Sequence, residues 1–285
     1  MITKNFETLI FELKDNGIGI ITLNRPERLN AMSFQLVEDY HEILDYLETQ
    51  YDCRVVILRG AGKGFCSGLD LKEFPVLTRR RKPENLRKKF YYVDMPEFVK
   101  SGIYFQWRIS QMMIKMRKIN QPIISLIHGA ATGGGFALAL ASDLRICGES
   151  AKFSNAFINL GLSGSDVSTS YHLPRLIGMS RATEILYTGS FFFAEEAERI
   201  GLVCKVVPDE KLLDAGMELA ETLLTKSPLG LRMTKQALNA SLNSPSLETI
   251  SELENRAQIL CGMSKDIIEG MSTFREKKKP RYPLR

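Results

Sequence analysis

The sequence lacks the features of membrane-spanning, disulfide-stabilised and metal-binding proteins. Its apolar runs are all shorter than the roughly 18 residues that a membrane-spanning helix needs. The five cysteines are scattered and odd in number, and the three histidines lack metal-ligand spacing, so we predict neither disulfides nor a metal. Residues 1–14 alternate apolar and polar residues without the apolar stretch of a signal peptide. We therefore expect a protein of the reducing cytoplasm.

Common nucleotide-binding and hydrolase motifs are also absent. The run Gly60–Gly64 has the glycines of a phosphate loop, but Lys63 is followed by Gly64 rather than by Ser or Thr. Its glycine spacing does not match the dinucleotide-binding pattern, and no Gly-x-Ser-x-Gly elbow occurs in the chain. The usual signatures of a P-loop enzyme, a Rossmann dehydrogenase and an α/β-hydrolase are therefore missing.

The composition is that of a globular protein with two basic segments. Its 285 residues are 44% hydrophobic and 25% charged, which suits one large α/β domain or two smaller ones. The net charge of +5 is concentrated in residues 78–89 and 275–285, so the rest of the chain is acidic. Each segment is either a phosphate-binding surface or solvated charge. No base-stacking module is visible, and we predict no nucleic-acid partner.

Strand and helix patterns alternate along the first two thirds of the chain. Alternating runs flank Asp15-Asn16-Gly17 and predict a hairpin, and Ser33 caps a helix with apolar residues at helical spacing. Strands are predicted at 55–58, 122–127, 144–147 and 202–207, and helices at 103–119 and 136–142. Ser227-Pro228 predicts the capped start of a further helix. The pattern predicts an α/β core over residues 1–200 and a helical region over 201–285.

Glycine-rich turns follow two of the predicted strands. Gly133-Gly134-Gly135 precedes a helix, leaves backbone N–H groups uncovered and places them at the positive end of the helix dipole. Such a turn stabilises an anion, for instance the enolate oxygen of a thioester. The glycines alone are equally compatible with close packing of the strand against the helix.

The order of the motifs along nearly the whole chain resembles the crotonase superfamily, the enoyl-CoA hydratase/isomerase family. The matching segments are Leu23-Asn24-Arg25-Pro26, Leu29-Asn30-Ala31, Gly64-Phe65-Cys66-Ser67-Gly68-Leu69-Asp70-Leu71, His128-Gly129 with Gly133-Gly134-Gly135, Ala141-Ser142-Asp143-Leu144-Arg145, Ala151-Lys152-Phe153, Leu173-Pro174-Arg175-Leu176-Ile177-Gly178, Ala194-Glu195-Glu196-Ala197 and Gly201-Leu202-Val203. Together these segments are highly specific, although each alone is a weak signal.

The resemblance implies a fold, a ligand and an assembly. It implies a ββα spiral core, a helical C-terminal trimerisation region, and homotrimers that often pair into hexamers. It implies an acyl-CoA ligand whose thioester oxygen accepts hydrogen bonds from the amides of Leu69 and Gly134. Coenzyme A is then part of the substrate, and no separate cofactor is expected. The coenzyme A contacts implied by position are Arg28, Leu29, Lys63, Ser67, Leu69, Gly134 and, from the last helix of a neighbouring subunit, Lys277.

The sequence departs from the hydratase pattern at both catalytic glutamates. Their positions hold Ala137 and Phe157, and neither side chain can transfer a proton. One carboxylate remains, Asp166, eight residues before Pro174, which is similar to the spacing of a catalytic aspartate in dienoyl-CoA isomerases. Asp166 is either a proton shuttle or the cap of the next helix. The sequence favours an isomerase-like reaction, and the alternative is an acyl-CoA-binding protein without chemistry.

Aromatic residues are frequent between positions 74 and 107. They are Phe74, Phe90, Tyr91, Tyr92, Phe98, Tyr104, Phe105 and Trp107. In the family that it resembles, this region forms the wall of the acyl pocket. The density therefore predicts either a pocket for a bulky acyl group or ordinary core packing.

Overall fold

A computed structural model describes residues 1–73, 96–244 and 246–282 of the chain. These residues form an α/β protein, as the sequence predicts. The strands are β1 (Ile2–Asn5), β2 (Leu9–Leu13), β3 (Ile18–Leu23), β4 (Val55–Gly60), β5 (Ile123–Ile127), β6 (Ala130–Thr132), β7 (Leu144–Gly148), β8 (Lys152–Ser154), β9 (Phe192–Phe193) and β10 (Lys205–Val207). The helices are α1 (Phe34–Thr49), α2 (Glu97–Lys118), α3 (Gly134–Ala141), α4 (Thr169–Ile177), α5 (Met179–Thr188), α6 (Ala194–Arg199), α7 (Leu212–Leu224), α8 (Pro228–Ser241), α9 (Leu247–Gly262) and α10 (Lys265–Arg275).

The larger sheet has seven strands in the order β1-β2-β3-β4-β5-β7-β10. The first three strands are antiparallel and include the hairpin predicted at Asp15-Asn16-Gly17, whereas β3, β4, β5, β7 and β10 are parallel. The central strands are apolar on both faces because helices cover both. In β4, Val55 and Ile57 belong to the core on one side, whereas Val56 and Leu58 belong to the core on the other.

A smaller sheet carries the second glycine-rich turn. It has the order β6-β8-β9, and β6 occupies residues 130–132, where the sequence pattern predicts only a turn. The reason lies outside the local pattern. Ala131 forms a parallel bridge with Cys66 of the first glycine-rich turn, so that tertiary contact extends the backbone.

Helix ends follow the capping residues that the sequence predicts. The Ser33 hydroxyl accepts a hydrogen bond from the amide of Leu36 at 3.0 Å, and the Ser227 hydroxyl accepts one from the amide of Gly230 at 3.0 Å. Strand β10, which lies within the strand predicted at 202–207, joins the larger sheet, and helix α7 packs on that sheet. The boundary at residue 200 and the trimerisation role of the tail stay predictions.

None of the helices in residues 1–73, 96–244 and 246–282 is long and apolar enough to cross a membrane. The basic segment 78–89 lies outside the described residues, as do Phe74, Phe90, Tyr91 and Tyr92.

Candidate active site

The two glycine-rich turns contact each other directly. The amide of Cys66 donates to the carbonyl of Ala130 at 2.9 Å, and the amide of Thr132 donates back to the carbonyl of Cys66 at 3.1 Å. The hydroxyl of Thr132 adds a bond to the carbonyl of Ser67 at 2.9 Å. These bonds fix the end of one turn against the start of the other.

Gly68 is the residue at which the turns approach most closely. Its φ of +98° lies in the region that favours glycine. A Cβ atom there would lie 2.7 Å from the carbonyl oxygen of Thr132 and 3.3 Å from the amide nitrogen of Gly134. Only glycine therefore fits this position while the two turns keep their contact.

The amides of Leu69 and Gly134 are the two predicted oxyanion donors, and both are uncommitted. Bonds from Met32 to the carbonyl of Gly68, at 2.7 Å, and from Asp70 to the carbonyl of Met32, at 3.0 Å, hold the chain on either side of Leu69. Gly134 is the first residue of α3, whose first-turn amides have no acceptor inside the helix. Within the described part of the chain, neither amide has a hydrogen-bond acceptor. Both N–H groups are therefore available to an acceptor that does not belong to the chain.

Arg25 and Asn30 hold the loop that carries the predicted coenzyme A contacts. The Arg25 guanidinium donates to the carbonyl of Ala31 at 2.5 Å and to the buried carboxylate of Asp70 at 3.1 Å. The side chain of Asn30 is fully buried. Its Oδ1 accepts a hydrogen bond from the backbone N–H of Arg25 at 2.9 Å, and its Nδ2 donates to the carbonyl of Gly64 at 2.8 Å. One side chain thus joins the loop to the first glycine-rich turn.

Three of the predicted coenzyme A contacts lie together. The amide of Ser67 donates to the carbonyl of Leu29 at 3.0 Å, and the hydroxyl of Ser67 donates to the carbonyl of Arg28 at 3.4 Å. Arg28 and Lys63 are exposed on the two connected segments, so their charges are free to meet phosphate. Lys277 follows helix α10, and within the described residues no contact joins it to this cluster.

Comparisons with known proteins match this arrangement. The family model described as enoyl-CoA hydratase/isomerase matches residues 13–95 and 99–284. The chain belongs to the enoyl-CoA hydratase/isomerase family. The crotonase superfamily predicted from the motifs is thereby confirmed, and the protein is an enzyme of this family.

Relatives and solved structures cover most of the chain. The chain is 42% identical to the probable enoyl-CoA hydratase echA12 of Mycobacterium bovis over 242 residues, which are 85% of this chain and 80% of that protein. It is 34% identical to the 1,2-epoxyphenylacetyl-CoA isomerase of Escherichia coli, covering 94% of this chain and 95% of that one. The crystal structure of an enoyl-CoA hydratase from Bacillus anthracis superposes with a TM-score of 0.86 at 32% identity, covering 98% of this chain and 100% of that chain.

Apolar side chains occupy the two positions that the motif match assigns to the hydratase glutamates. Ala137 is 1% exposed and Phe157 is 3% exposed. A Cβ atom on Gly133 would lie 3.6 Å from the Phe157 ring, so this ring lies beside the glycines that precede α3. Neither position supplies a proton donor or acceptor to the site.

Asp166 is the remaining carboxylate, and it lies half-buried beside helix α2. One carboxylate oxygen, Oδ1, accepts hydrogen bonds from the amide of Val167, at 2.7 Å, and from the side chain of Gln106. The other oxygen has no hydrogen-bond partner among the residues that the structure describes. Burial raises the pKa of Asp166, while the bonds from Val167 and Gln106 lower it.

The carboxylate of Asp166 does not cap helix α4. The residue that precedes the helix is Ser168, with a φ of +73°, and Thr169 donates to the backbone carbonyl of Asp166 at 2.8 Å. Val167 also has a positive φ, of +37°, so two consecutive residues turn the chain away from the geometry of a side-chain cap. The carboxylate is left with one free oxygen, which suits proton transfer.

Gln106 is a candidate positioning residue that the sequence does not reveal. It lies in α2, sixty residues before Asp166, and nothing in the local pattern links the two. Asn30, by contrast, lies inside a matching motif, and its buried amide could have been singled out there. Two aromatic residues of α2 differ in burial. Phe105 is buried, with 4.0 Å between its ring centroid and that of Phe34, which is core packing, whereas Trp107 is 42% exposed.

Two of the three histidines lie against backbone carbonyls. His41 is buried in α1, where its ring is 2.8 Å from the carbonyl of Arg108, and His128 is 2.9 Å from the carbonyl of Gly62. Within residues 1–73, 96–244 and 246–282, no group of three metal-ligating side chains occurs.

Proposed function

We propose that the protein isomerises an unsaturated acyl-CoA by a 1,3-proton shift. The observation that carries the proposal is a pair of uncommitted amides, Leu69 and Gly134, in a site whose two hydratase glutamate positions are apolar. One carboxylate, Asp166, remains to move a proton. A single base can remove a proton at one carbon and return it at another.

The proposed reaction takes a 3-enoyl thioester to the conjugated 2-enoyl thioester. The Asp166 carboxylate removes a proton from C2, and the electron pair moves onto the thioester oxygen to form a dienolate. The amides of Leu69 and Gly134 donate hydrogen bonds to this oxygen, and each such donor lowers the barrier by about 3 kcal/mol. Asp166 then returns the same proton at C4, so the carboxylate is regenerated.

Hydration is disfavoured by the same residues. Adding water across a double bond requires one group to deprotonate the water and a second to protonate carbon, and Ala137 and Phe157 supply neither. The relative named 1,2-epoxyphenylacetyl-CoA isomerase supports an isomerase within the family. The raised pKa of Asp166 also favours proton transfer, because a buried carboxylate is a stronger base than a solvated one.

The proposal also covers the binding of the coenzyme A phosphates and the contribution of a neighbouring copy of the chain. Arg28 and Lys63 bind coenzyme A phosphates, and the backbone at Leu29 and Ser67 lines their approach. Lys277 reaches the same phosphates from a neighbouring copy in a homotrimer or a pair of trimers. The location in the cytoplasm stays a prediction.

The experiment measures both reactions on the purified protein. With a 3-enoyl-CoA, we expect conjugated thioester absorbance to appear, and with crotonyl-CoA we expect it to persist. Asp166→Asn is expected to lower kcat for isomerisation by about 100-fold or more, the usual size of a general-base contribution. The matched control is Asp214→Asn, which neutralises an exposed carboxylate on α7 and is expected to leave kcat unchanged.

Rapid hydration of crotonyl-CoA would contradict the proposal, because another group would then have to activate water. An unchanged kcat in Asp166→Asn would contradict the role of this carboxylate.

The second candidate is an acyl-CoA-binding protein without chemistry. The observation that favours it is that Oδ1 of Asp166 is already bonded to Val167 and Gln106. This candidate predicts saturable binding of both thioesters with neither reaction. The absorbance measurement separates the two candidates.

A further inference from the structure

A cavity lies between the end of α2, the start of α4 and the end of α8, and neither glycine-rich turn lines it. Its volume of about 530 Å³ is within the range of about 300–1,000 Å³ that small-molecule sites occupy. We call it the His172 pocket and define it by the lining residues that the argument uses, which are Ile114, Arg117, Lys118, Tyr171, His172 and Leu242.

The lining of the His172 pocket carries positive charge. Arg117 and Lys118 line it, and no Asp or Glu does. Arg175 lies behind the lining, with its guanidinium 3.9 Å from the centre of the Tyr171 ring. Lys118 is exposed and has no ion-pair partner among the described residues.

The protein behind the pocket does not neutralise this charge. Asp143 pairs with Arg117 at 2.8 Å and with Lys235 at 2.7 Å, so one carboxylate serves two cations. The buried guanidinium of Arg145 adds a third cation nearby, bonded to the carbonyls of Leu202 and Ser142. An anion in the pocket would therefore lie near an excess of positive charge.

His172 is the polar group of this lining that is available to a ligand. Its side chain is nine-tenths buried, and its ring nitrogens have no hydrogen-bond partner in the described part of the chain. Neither nitrogen is among the fully buried polar atoms that lack a partner, so the ring opens onto the cavity, where a ligand can reach it. Burial, with Arg117, Arg145 and Arg175, lowers the pKa of His172 to about 4 against the opposing effect of Asp143. The ring is neutral at pH 7 and can donate one hydrogen bond.

Apolar surface completes the lining. Ile114 and Leu242 present aliphatic groups, and the Tyr171 ring stands edge-to-face to His172 with 5.0 Å between ring centroids. A small inorganic anion would leave this apolar surface exposed to water, whereas a ligand with an apolar body would cover it, which is favourable.

We propose that the His172 pocket binds a small carboxylate with a compact apolar body. The carboxylate lies between Arg117 and Lys118 and accepts a hydrogen bond from His172. The body packs on Ile114, Leu242 and the Tyr171 ring. This site is separate from the thioester site and does not depend on the reaction proposed above.

The test uses benzoate as the probe and the full chain as the protein. Isothermal titration at pH 7 is expected to show one benzoate site per chain. Benzamide has the same shape without the charge. Its affinity is expected to be at least about tenfold lower than that of benzoate, because a hydrogen bond to a charged group is worth about that factor. A saturating concentration of crotonyl-CoA is expected to leave benzoate binding unchanged.

Two variants assign the binding to the pocket. His172→Phe fills the same space without a donor, and Lys118→Gln removes an exposed charge, so both are expected to weaken benzoate binding by about tenfold. Lys205→Gln, an exposed lysine on β10, is the matched control and is expected to bind as the wild type does. Arg117 is left unchanged because it holds Asp143 and Asn239.

Four results would overturn the proposal. These are no benzoate binding to the wild-type chain, equal binding of benzamide, unchanged affinity in both variants, and displacement of benzoate by crotonyl-CoA. Each can occur while isomerisation proceeds normally, and a failure of isomerisation leaves the benzoate result intact.

Discussion

At the scale of single residues, two opposing effects act on the pKa of the Asp166 carboxylate. Burial raises its pKa, and hydrogen bonds from the Val167 amide and the Gln106 side chain lower it. Because the bond from Val167 comes from the backbone, Gln106 is the part that substitution can remove. The side chain on α2 therefore sets how readily the proposed base gains and loses its proton.

Replacing Gln106 with leucine should move the acid limb of the pH profile to higher pH. The carboxylate must be ionised to accept a proton, so activity falls as the pH drops through its pKa. Removing the bond from Gln106 raises that pKa further, and the variant should lose kcat/KM for isomerisation at a higher pH than the wild type. The measurement is kcat/KM against pH with a 3-enoyl-CoA.

The control for this shift is Ser110→Ala. Ser110 lies one turn further along α2 and bonds the carbonyl of Gln106 at 3.0 Å without touching Asp166. An acid limb that stays in place in Gln106→Leu would mean that another group controls the profile.

At the scale of elements, helix α8 is attached to the core through a buried ammonium. Lys235 donates to the carbonyls of Met116 and Gln121, at 3.1 and 2.8 Å, and to the carboxylate of Asp143 at 2.7 Å. The three acceptors belong to the end of α2, the segment before β5 and the segment before β7. All three donors of the ammonium are satisfied, which makes its burial tolerable.

Replacing Lys235 with alanine should destabilise the protein by about 1–3 kcal/mol, because the buried carbonyls of Met116 and Gln121 lose their donor while Asp143 keeps its pair with Arg117. Urea denaturation followed by circular dichroism gives the change in midpoint. Lys265→Ala, at the exposed start of α10, is the matched control and should shift the midpoint little. Equal midpoints for the two variants would show that Lys235 does not hold α8.

The sequence predicts an element well when the residues that stabilise it are close to it in the chain, and poorly when they are distant. Helix α1 and the hairpin at Asp15-Asn16-Gly17 follow from local capping and alternation. Strand β6 does not, because it depends on pairing with β8, some twenty residues later, and with Cys66, more than sixty residues earlier. Matching motifs predict the amides of Leu69 and Gly134 as oxyanion donors, and this role stays a prediction. The contact of Gln106 with Asp166 is not predicted, because a helix pattern does not show which residue a side chain will face.

At the scale of the whole molecule, the last two helices expose apolar side chains that the chain itself does not cover. Each of the following is at least 66% exposed: Leu247 and Ile259 on α9, Met263 directly after α9, and Ile268 and Phe274 on α10. Exposed apolar groups in such numbers mark a protein interface. A closed ring of copies would bury them and would bring Lys277, just after α10, toward another chain.

The expected assembly is three chains or a multiple of three. Light scattering after gel filtration should give at least three times 32.2 kDa. The double variant Ile268→Asp with Phe274→Asp should give single chains with weakened coenzyme A thioester binding, because charge at an apolar contact is strongly unfavourable.

The matched control for the assembly is Tyr187→Asp, an equally exposed side chain on α5, outside the tail. It should keep the mass of the wild type. A wild-type mass of one chain would contradict the expected assembly.

The two predicted oxyanion donors are main-chain groups, which has a consequence for how a mutation could remove one of them. Of the substitutions that a gene can encode, proline alone deletes a peptide N–H. Proline is well accepted at the first position of a helix, which is where Gly134 stands, although any Cβ there meets the sulfur of Met32 at 3.1 Å. A lineage could therefore lose one donor in a single codon and keep its fold, while an inspection of polar side chains would find nothing missing.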